Sequence, residues 1–132
     1  MIDHLSLAVA DIDRSRAFYD RVMPALGARR MQDLDEEEYQ ASGYGCREGE
    51  PAFWVGAARV AGPPPPVPEG QHVAFAAAGR PAVDAFYVAA IAAGAADNGG
   101  PGLRPHYHPN YYAAFVIDPD GHRLEAVCHQ PA

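Results

Sequence analysis

Residues 4–10 read HLSLAVA and residues 72–78 read HVAFAAA, and the likeness of these two stretches decides the fold. The offset between them is 72 − 4 = 68. Fourteen positions after each histidine comes a Phe-Tyr pair, Phe18-Tyr19 and Phe86-Tyr87, at the same offset of 68. Ala-Leu-Gly-Ala at 25–28 is then answered by Ala-Ala-Gly-Ala at 92–95, where the offset has slipped to 67. Three anchors in one order indicate an internal duplication, so the two halves are read as copies of one structural unit.

In the first copy, His4, Ser6 and Ala8 alternate with Leu5, Leu7 and Val9. A period of two is that of a half-buried strand, with the leucines and the valine facing a helix. Asp11 or Asp13 can cap that helix, in which Ile12, Ser15, Tyr19, Val22 and Leu26 form one face and Gly27 ends the run. Pro24 should kink or end its last turn. Strand candidates follow at 28–34, 39–46 and 52–57, so this half reads βαβββ over 1–61. The segment GPPPPVPEG at 62–70 lacks most of its N–H donors and is an extended linker. The second copy, 71–132, repeats the pattern. It has a strand at 71–77, then a helix opened by Pro81 with Val83, Phe86, Tyr87, Ala90 and Ile91 on its apolar face. A short strand near 95–98, a long loop and two strands at 111–117 and 122–128 follow, the last two joined by the turn DPDG. The expected class is α+β, two βαβββ modules in a curled mixed sheet with helices outside, within a single domain of 132 residues.

Bulk composition narrows the function. A formal charge of −7, with no lysine and one basic pair at Arg29-Arg30, leaves no surface built to neutralise nucleic-acid phosphates. Cys46 and Cys128 are too few for a disulfide framework and lie in no metal-ligand spacing. There is no basic, apolar leader at the start and no run of about 18 apolar residues, so a cytoplasmic location and no membrane partner are expected.

Placing the two modules side by side predicts a cup whose inner wall is the face away from the helices. His4 and His72 begin equivalent strands and should both face into it. In the last strand Leu124, Ala126 and Cys128 form the apolar side, which turns Arg123, Glu125 and Val127 inward. Two histidines and one carboxylate make a facial ligand set suited to Fe(II), Mn(II), Zn(II), Ni(II) or Co(II), with positions left open for water or substrate. One divalent metal ion held by His4, His72 and Glu125 is therefore expected.

These residues carry a resemblance. IDHLSLAVADIDRSRAFYDRVMPALG at 2–27, His72, and FVIDPDGHRLEAV at 115–127 resemble the vicinal oxygen chelate superfamily, which includes glyoxalase I, extradiol dioxygenases, fosfomycin-resistance enzymes, methylmalonyl-CoA epimerase and bleomycin-resistance proteins. The resemblance spans essentially the whole chain. It implies metal ligands on the first, fourth, fifth and eighth strands, matching His4, a residue within 53–57, His72 and Glu125. FWVGAA at 53–58 offers no carboxylate at the second of these, unlike the glyoxalase pattern, so the three-ligand set is closer to that of dioxygenases and fosfomycin-resistance enzymes. A metal acting as Lewis acid on a small oxygen-bearing substrate, or Fe(II) activating O₂, is the expected function. The competing reading is a metal-free protein that sequesters a ligand. A homodimer is expected from exposed sheet edges and from the resemblance.

Other residues are candidates around that centre. RPHYHPNYY at 104–112, read as extended, puts His106 and His108 on one side of the chain and brings two phenols to the mouth of the cup. His108 and Tyr112 are the expected proton-transfer groups, and Glu125 shares a catalytic role with its role as ligand. Trp54, His106 and Arg123 are the expected substrate contacts, the first as an apolar wall and the last for an anionic group. Asp120, His122 and His129 are given no role.

Overall fold

The computed structural model describes residues 1–59 and 62–132. The expected end of the first module at residue 61 lies outside the described residues. The chain forms two compact units, Met1–Pro66 and Val67–Ala132, which part inside the proline-rich segment.

The first unit contains β1 (Leu5–Ala8), α1 (Ile12–Val22), β2 (Arg29–Asp35), β3 (Tyr39–Gly45) and β4 (Phe53–Ala58). Its sheet runs β1-β4-β3-β2, with β1 parallel to β4 and the other pairs antiparallel. Asp11 caps α1 by accepting from the backbone N–H groups of Asp13 and Arg14. Pro24 opens a 3₁₀ turn at Met23–Leu26, and Gly27 closes it at φ 73°, a conformation that favours glycine. The apolar side of α1 packs Ile12, Phe18, Tyr19 and Val22 onto Leu7, Tyr44, Phe53 and Val55, all buried. The Tyr19 ring lies 5.1 Å from Phe53 and 6.0 Å from Tyr44, within the range of favourable aromatic pairs. Leu26, expected on the buried face, is only half-buried because the 3₁₀ turn has already changed the helical period.

The second unit repeats the plan: β5 (His72–Ala76), α2 (Arg80–Ala92), β6 (Ala96–Asp97), β7 (Gly102–Leu103), β8 (Tyr112–Ile117) and β9 (Arg123–Cys128). Its sheet runs β5-β9-β8-β6, with β7 also pairing β8, and β5 is parallel to β9 as β1 is to β4. Val83, Phe86 and Ala90 of α2 are buried over Val116, Leu124 and Ala126. Ile91 is exposed and Tyr87 is half-buried, its hydroxyl bonded to Asp97, so the buried stripe is narrower than the sequence suggested. The position of β2, at the edge of the first unit's sheet, is matched by two fragments of two residues each, β6 and β7, around a loop. Among the described residues no helix is long and apolar enough to cross a membrane.

Registers make the two units comparable residue by residue. Ser6, two after His4, pairs Trp54; Ala74, two after His72, pairs Glu125. Across the next strand Trp54 faces Gly43 and Glu125 faces Phe115. Trp54 and Glu125 thus occupy equivalent places on equivalent faces.

Candidate functional site

In the second unit, strand alternation turns His72, Ala74, Phe115, Glu125 and Val127 to the face opposite α2. Glu125 is only 1% exposed although it is a carboxylate. Its Oε2 lies 3.1 Å from His72 Nε2, and its Oε1 accepts the hydroxyl proton of Tyr111. Among the described residues its ion-pair partner is His72 alone. Burying a carboxylate costs several kcal/mol unless partners replace water, and here those partners are themselves ionisable groups. Burial first, and the bond to Glu125 second, push the Tyr111 phenol up to about 12.

Two donors sharing a divalent ion at about 2.0–2.2 Å each stand roughly 3.0–3.4 Å apart at octahedral or tetrahedral angles. The His72–Glu125 separation of 3.1 Å fits that requirement, and the N and O donor types suit the metals expected. His4 lies just ahead of β1, its side chain about half-exposed, with Nδ1 2.5 Å from Asp3 Oδ1. A carboxylate on Nδ1 leaves Nε2 as the ring nitrogen available to a further partner. Among the described residues no three His, Cys, Asp or Glu side chains form a metal-holding group.

The remaining expected residues are distributed differently. Tyr112 lies on the helix side of its sheet, with its hydroxyl on Asp84 at 2.6 Å and Arg80 over its ring. It is turned away from Glu125, which its neighbour Tyr111 reaches instead. The loop before it is not extended: Tyr107 N–H bonds Arg104 O and Tyr111 N–H bonds His108 O, two successive turns. His106 consequently meets the Tyr107 ring at 4.2 Å, tilted by 42°, while His108 pairs with His129, Nε2 to Nδ1 at 2.8 Å. His129, to which the sequence assigned nothing, is thus part of this cluster. Arg123 shares the face of Glu125, yet its guanidinium donates to Pro68 O at 3.2 Å. Trp54 lines a concave surface of the first unit, about 940 Å³, together with His4, Ser6, Leu34, Tyr39 and Glu50.

The chain belongs to the glyoxalase/bleomycin resistance protein/dioxygenase superfamily, whose family model matches residues 1–126. A glyoxalase/bleomycin resistance protein from Albidiferax ferrireducens T118 is similar over 95% of this chain and 96% of its own, with 28% identity and a TM-score of 0.72. A domain of the same type from Frankia sp. EAN1pec superposes at a TM-score of 0.75 with 19% identity, covering 98% of each chain. Glyoxalase I from Zea mays gives 0.73 at 21% identity; 96% of this chain is covered, but it spans only 45% of the maize enzyme. Among curated proteins none matches the chain. The expected fold class of two βαβββ modules is the one these relatives share.

Proposed function

We propose that the protein is a divalent-metal-dependent enzyme acting on a small oxygen-bearing substrate, with His4, His72 and Glu125 as the ligands. The observation that carries this reading is the buried Glu125 carboxylate set against His72 Nε2 on the face away from the helix. A group so costly to bury, held by partners that could themselves exchange protons, is a functional-site candidate on physical grounds. When bound, a divalent ion there supplies Lewis-acid stabilisation of a developing enolate or oxyanion, or, as Fe(II), a place for O₂. Asp3 orients His4, Tyr111 holds one oxygen of Glu125, and Trp54 gives an apolar wall against which a substrate ring can lie. Tyr111 replaces Tyr112 in this scheme, and His108 acts on the site through Tyr111, whose ring it meets at 5.5 Å. Sheet edges at β1 and β5 support a homodimer as the working assembly.

Metal analysis of protein purified without chelator or affinity-tag metal tests the proposal. About one ion per chain, lost in Glu125→Gln, is expected; metal-free protein that cannot be loaded would overturn it. Turnover that depends on O₂ would separate the ring-cleavage chemistry from the Lewis-acid chemistry. A second reading, a ligand-sequestering protein without metal, is favoured by one observation: His72 and Tyr111 already satisfy both oxygens of Glu125. In that case a hydrophobic ligand would quench Trp54 fluorescence in metal-free protein and in Glu125→Gln alike.

A further inference from the structure

We infer that Gly56 is the floor of a recognition slot in the first unit, shaped for a flat, ring-bearing group that carries no negative charge. It rests on the substrate side of the function proposed above, in which Trp54 is a wall, and not on the metal.

Glycine in the middle of a strand weakens it, and often marks a bulge, a bend or the close approach of another group. The strands of the first unit hold three, Gly43, Gly45 and Gly56, and none has a positive φ. A Cβ on Gly43 would come within 2.8 Å of Trp54 and Pro51, and one on Gly45 within 2.6 Å of Glu50 O, so the chain's own packing accounts for both. At Gly56 a Cβ would meet nothing closer than 3.6 Å, an ordinary contact. Nor is there a bulge, since Gly56 pairs regularly with Ala8 on one side and Ala41 on the other. What lies over it is the concave surface of about 940 Å³, a size typical of ligand sites, and the missing side chain keeps that space open.

The registers draw the slot. Ala8, Gly56, Ala41 and Leu34 form one row across the four strands, three of them with a methyl group or less. Trp54 stands in an adjacent row with its indole leaning over Gly43, and Tyr39 stands on the other side, paired with Ala58. Residues 54 and 58 are about 13 Å apart along the strand. The two aromatic side chains therefore bound the floor without covering it, and a ring system laid there has one face on alkyl groups and its ends against aromatic walls. Charge then sets the class. Among the described residues no Arg lines this surface, the chain has no lysine, and Asp3 and Glu50 stand at its rim. A carboxylate or phosphate entering the slot would lose water with no cation to replace it, and would meet two like charges.

The test is equilibrium dialysis of the chelator-treated full chain against 2-naphthylmethanol and 2-naphthoate, one ring system without and with a negative charge. The alcohol is expected to bind, and the acid to bind about tenfold or more weakly. Gly56→Leu, which fills the slot, should weaken binding of the alcohol by about tenfold or more, and Gly56→Ala by less. Intermolecular NOEs from the naphthalene protons to Gly56 Hα and the Trp54 indole, read on wild type, need no variant to fold. No binding of the alcohol, an acid that binds as tightly, equal affinities for wild type and folded Gly56→Leu, or NOEs that miss Gly56 would each overturn the inference. Metal analysis of the untreated protein decides the metal reading separately, so either can fail while the other stands.

Discussion

Trp54 and Glu125 hold the same place in two copies of one scaffold, and almost everything that distinguishes the copies follows from that exchange. Where Trp54 stands, the facing strand supplies Gly43, and a Cβ there would come within 2.8 Å of the indole and of Pro51. Where Glu125 stands, the facing strand supplies Phe115 instead. Each copy therefore has one large ring at this level of its sheet, carried on opposite members of the strand pair. The first copy uses the arrangement to build an apolar wall, the second to bury an acid. The two copies share one backbone plan, while the faces away from the helices carry different side chains; the buried helix-side faces hold the register.

That comparison can be tested from its largest expected effect downward. The helix-side cores should be equivalent: Phe18→Ala and Phe86→Ala should each cost about 3–5 kcal/mol in denaturant unfolding. The tyrosines beside them should not be equivalent. Tyr19 is fully buried, so Tyr19→Ala should fall in the same range, whereas half-buried Tyr87 should cost about 1 kcal/mol. Equal losses for the two tyrosines would break the contrast.

The faces away from the helices give the next effect. Gly43→Ala should destabilise by about 1–3 kcal/mol and red-shift Trp54 emission as the indole is displaced. Gly56→Ala on the same face, where a Cβ would meet its nearest atoms at 3.6 Å, should stay within about 0.5 kcal/mol of wild type. If the two alanines behaved alike, the packing of Trp54 on Gly43 would not be the constraint described.

Helix entries differ more modestly. Asp11→Ala should cost about 1 kcal/mol by removing the cap of α1. The equivalent residue of α2, Gly79, makes no side-chain cap and has an extended backbone that any residue can adopt, so Gly79→Asp should gain a few tenths of a kcal/mol.

The smallest effect is a pH dependence. Tyr111 is raised in the folded protein to about 12, above the roughly 10 of an unfolded tyrosine. The folded state thus keeps its proton longer than the unfolded state does. Its contribution is complete below about pH 10 and is lost as pH rises from there through about 12. Comparing unfolding midpoints across that window, Tyr111→Phe should show a shallower alkaline decline than wild type; an identical decline would remove the Tyr111–Glu125 bond from the account.

The duplication, the parity of the strands and the turn chemistry were all legible because each is local. HLSLAVA and HVAFAAA mark equivalent strands; Gly27 at φ 73° ends the first helical segment where the sequence placed it. That Arg123, Glu125 and Val127 share the face away from α2 followed from alternation alone, as did the placing of His72 with Glu125 on that face. Tyr112 was misplaced because both phenols were read as reaching one rim, whereas consecutive residues alternate: β8 begins at Tyr112, which faces the helix, and Tyr111 falls on the face of Glu125. His129 was invisible for a different reason. Its partner His108 sits 21 residues away across two turns that the sequence reads equally well as an extended segment. The two-residue strand β7 also passed as loop, since two residues carry no period.

The acid at 125 has a further consequence for how the protein is made. Small metal domains whose ligands have no alternative partners stay unfolded until the ion arrives. Here an imidazole and a phenol already complete the carboxylate's hydrogen bonds, so the nascent chain has no need to wait for a cofactor before it folds. Under the metal-dependent reading proposed above, loading would be a late, reversible step on a finished surface. On that reading, metal supply would set how much of the protein is loaded rather than how much of it folds.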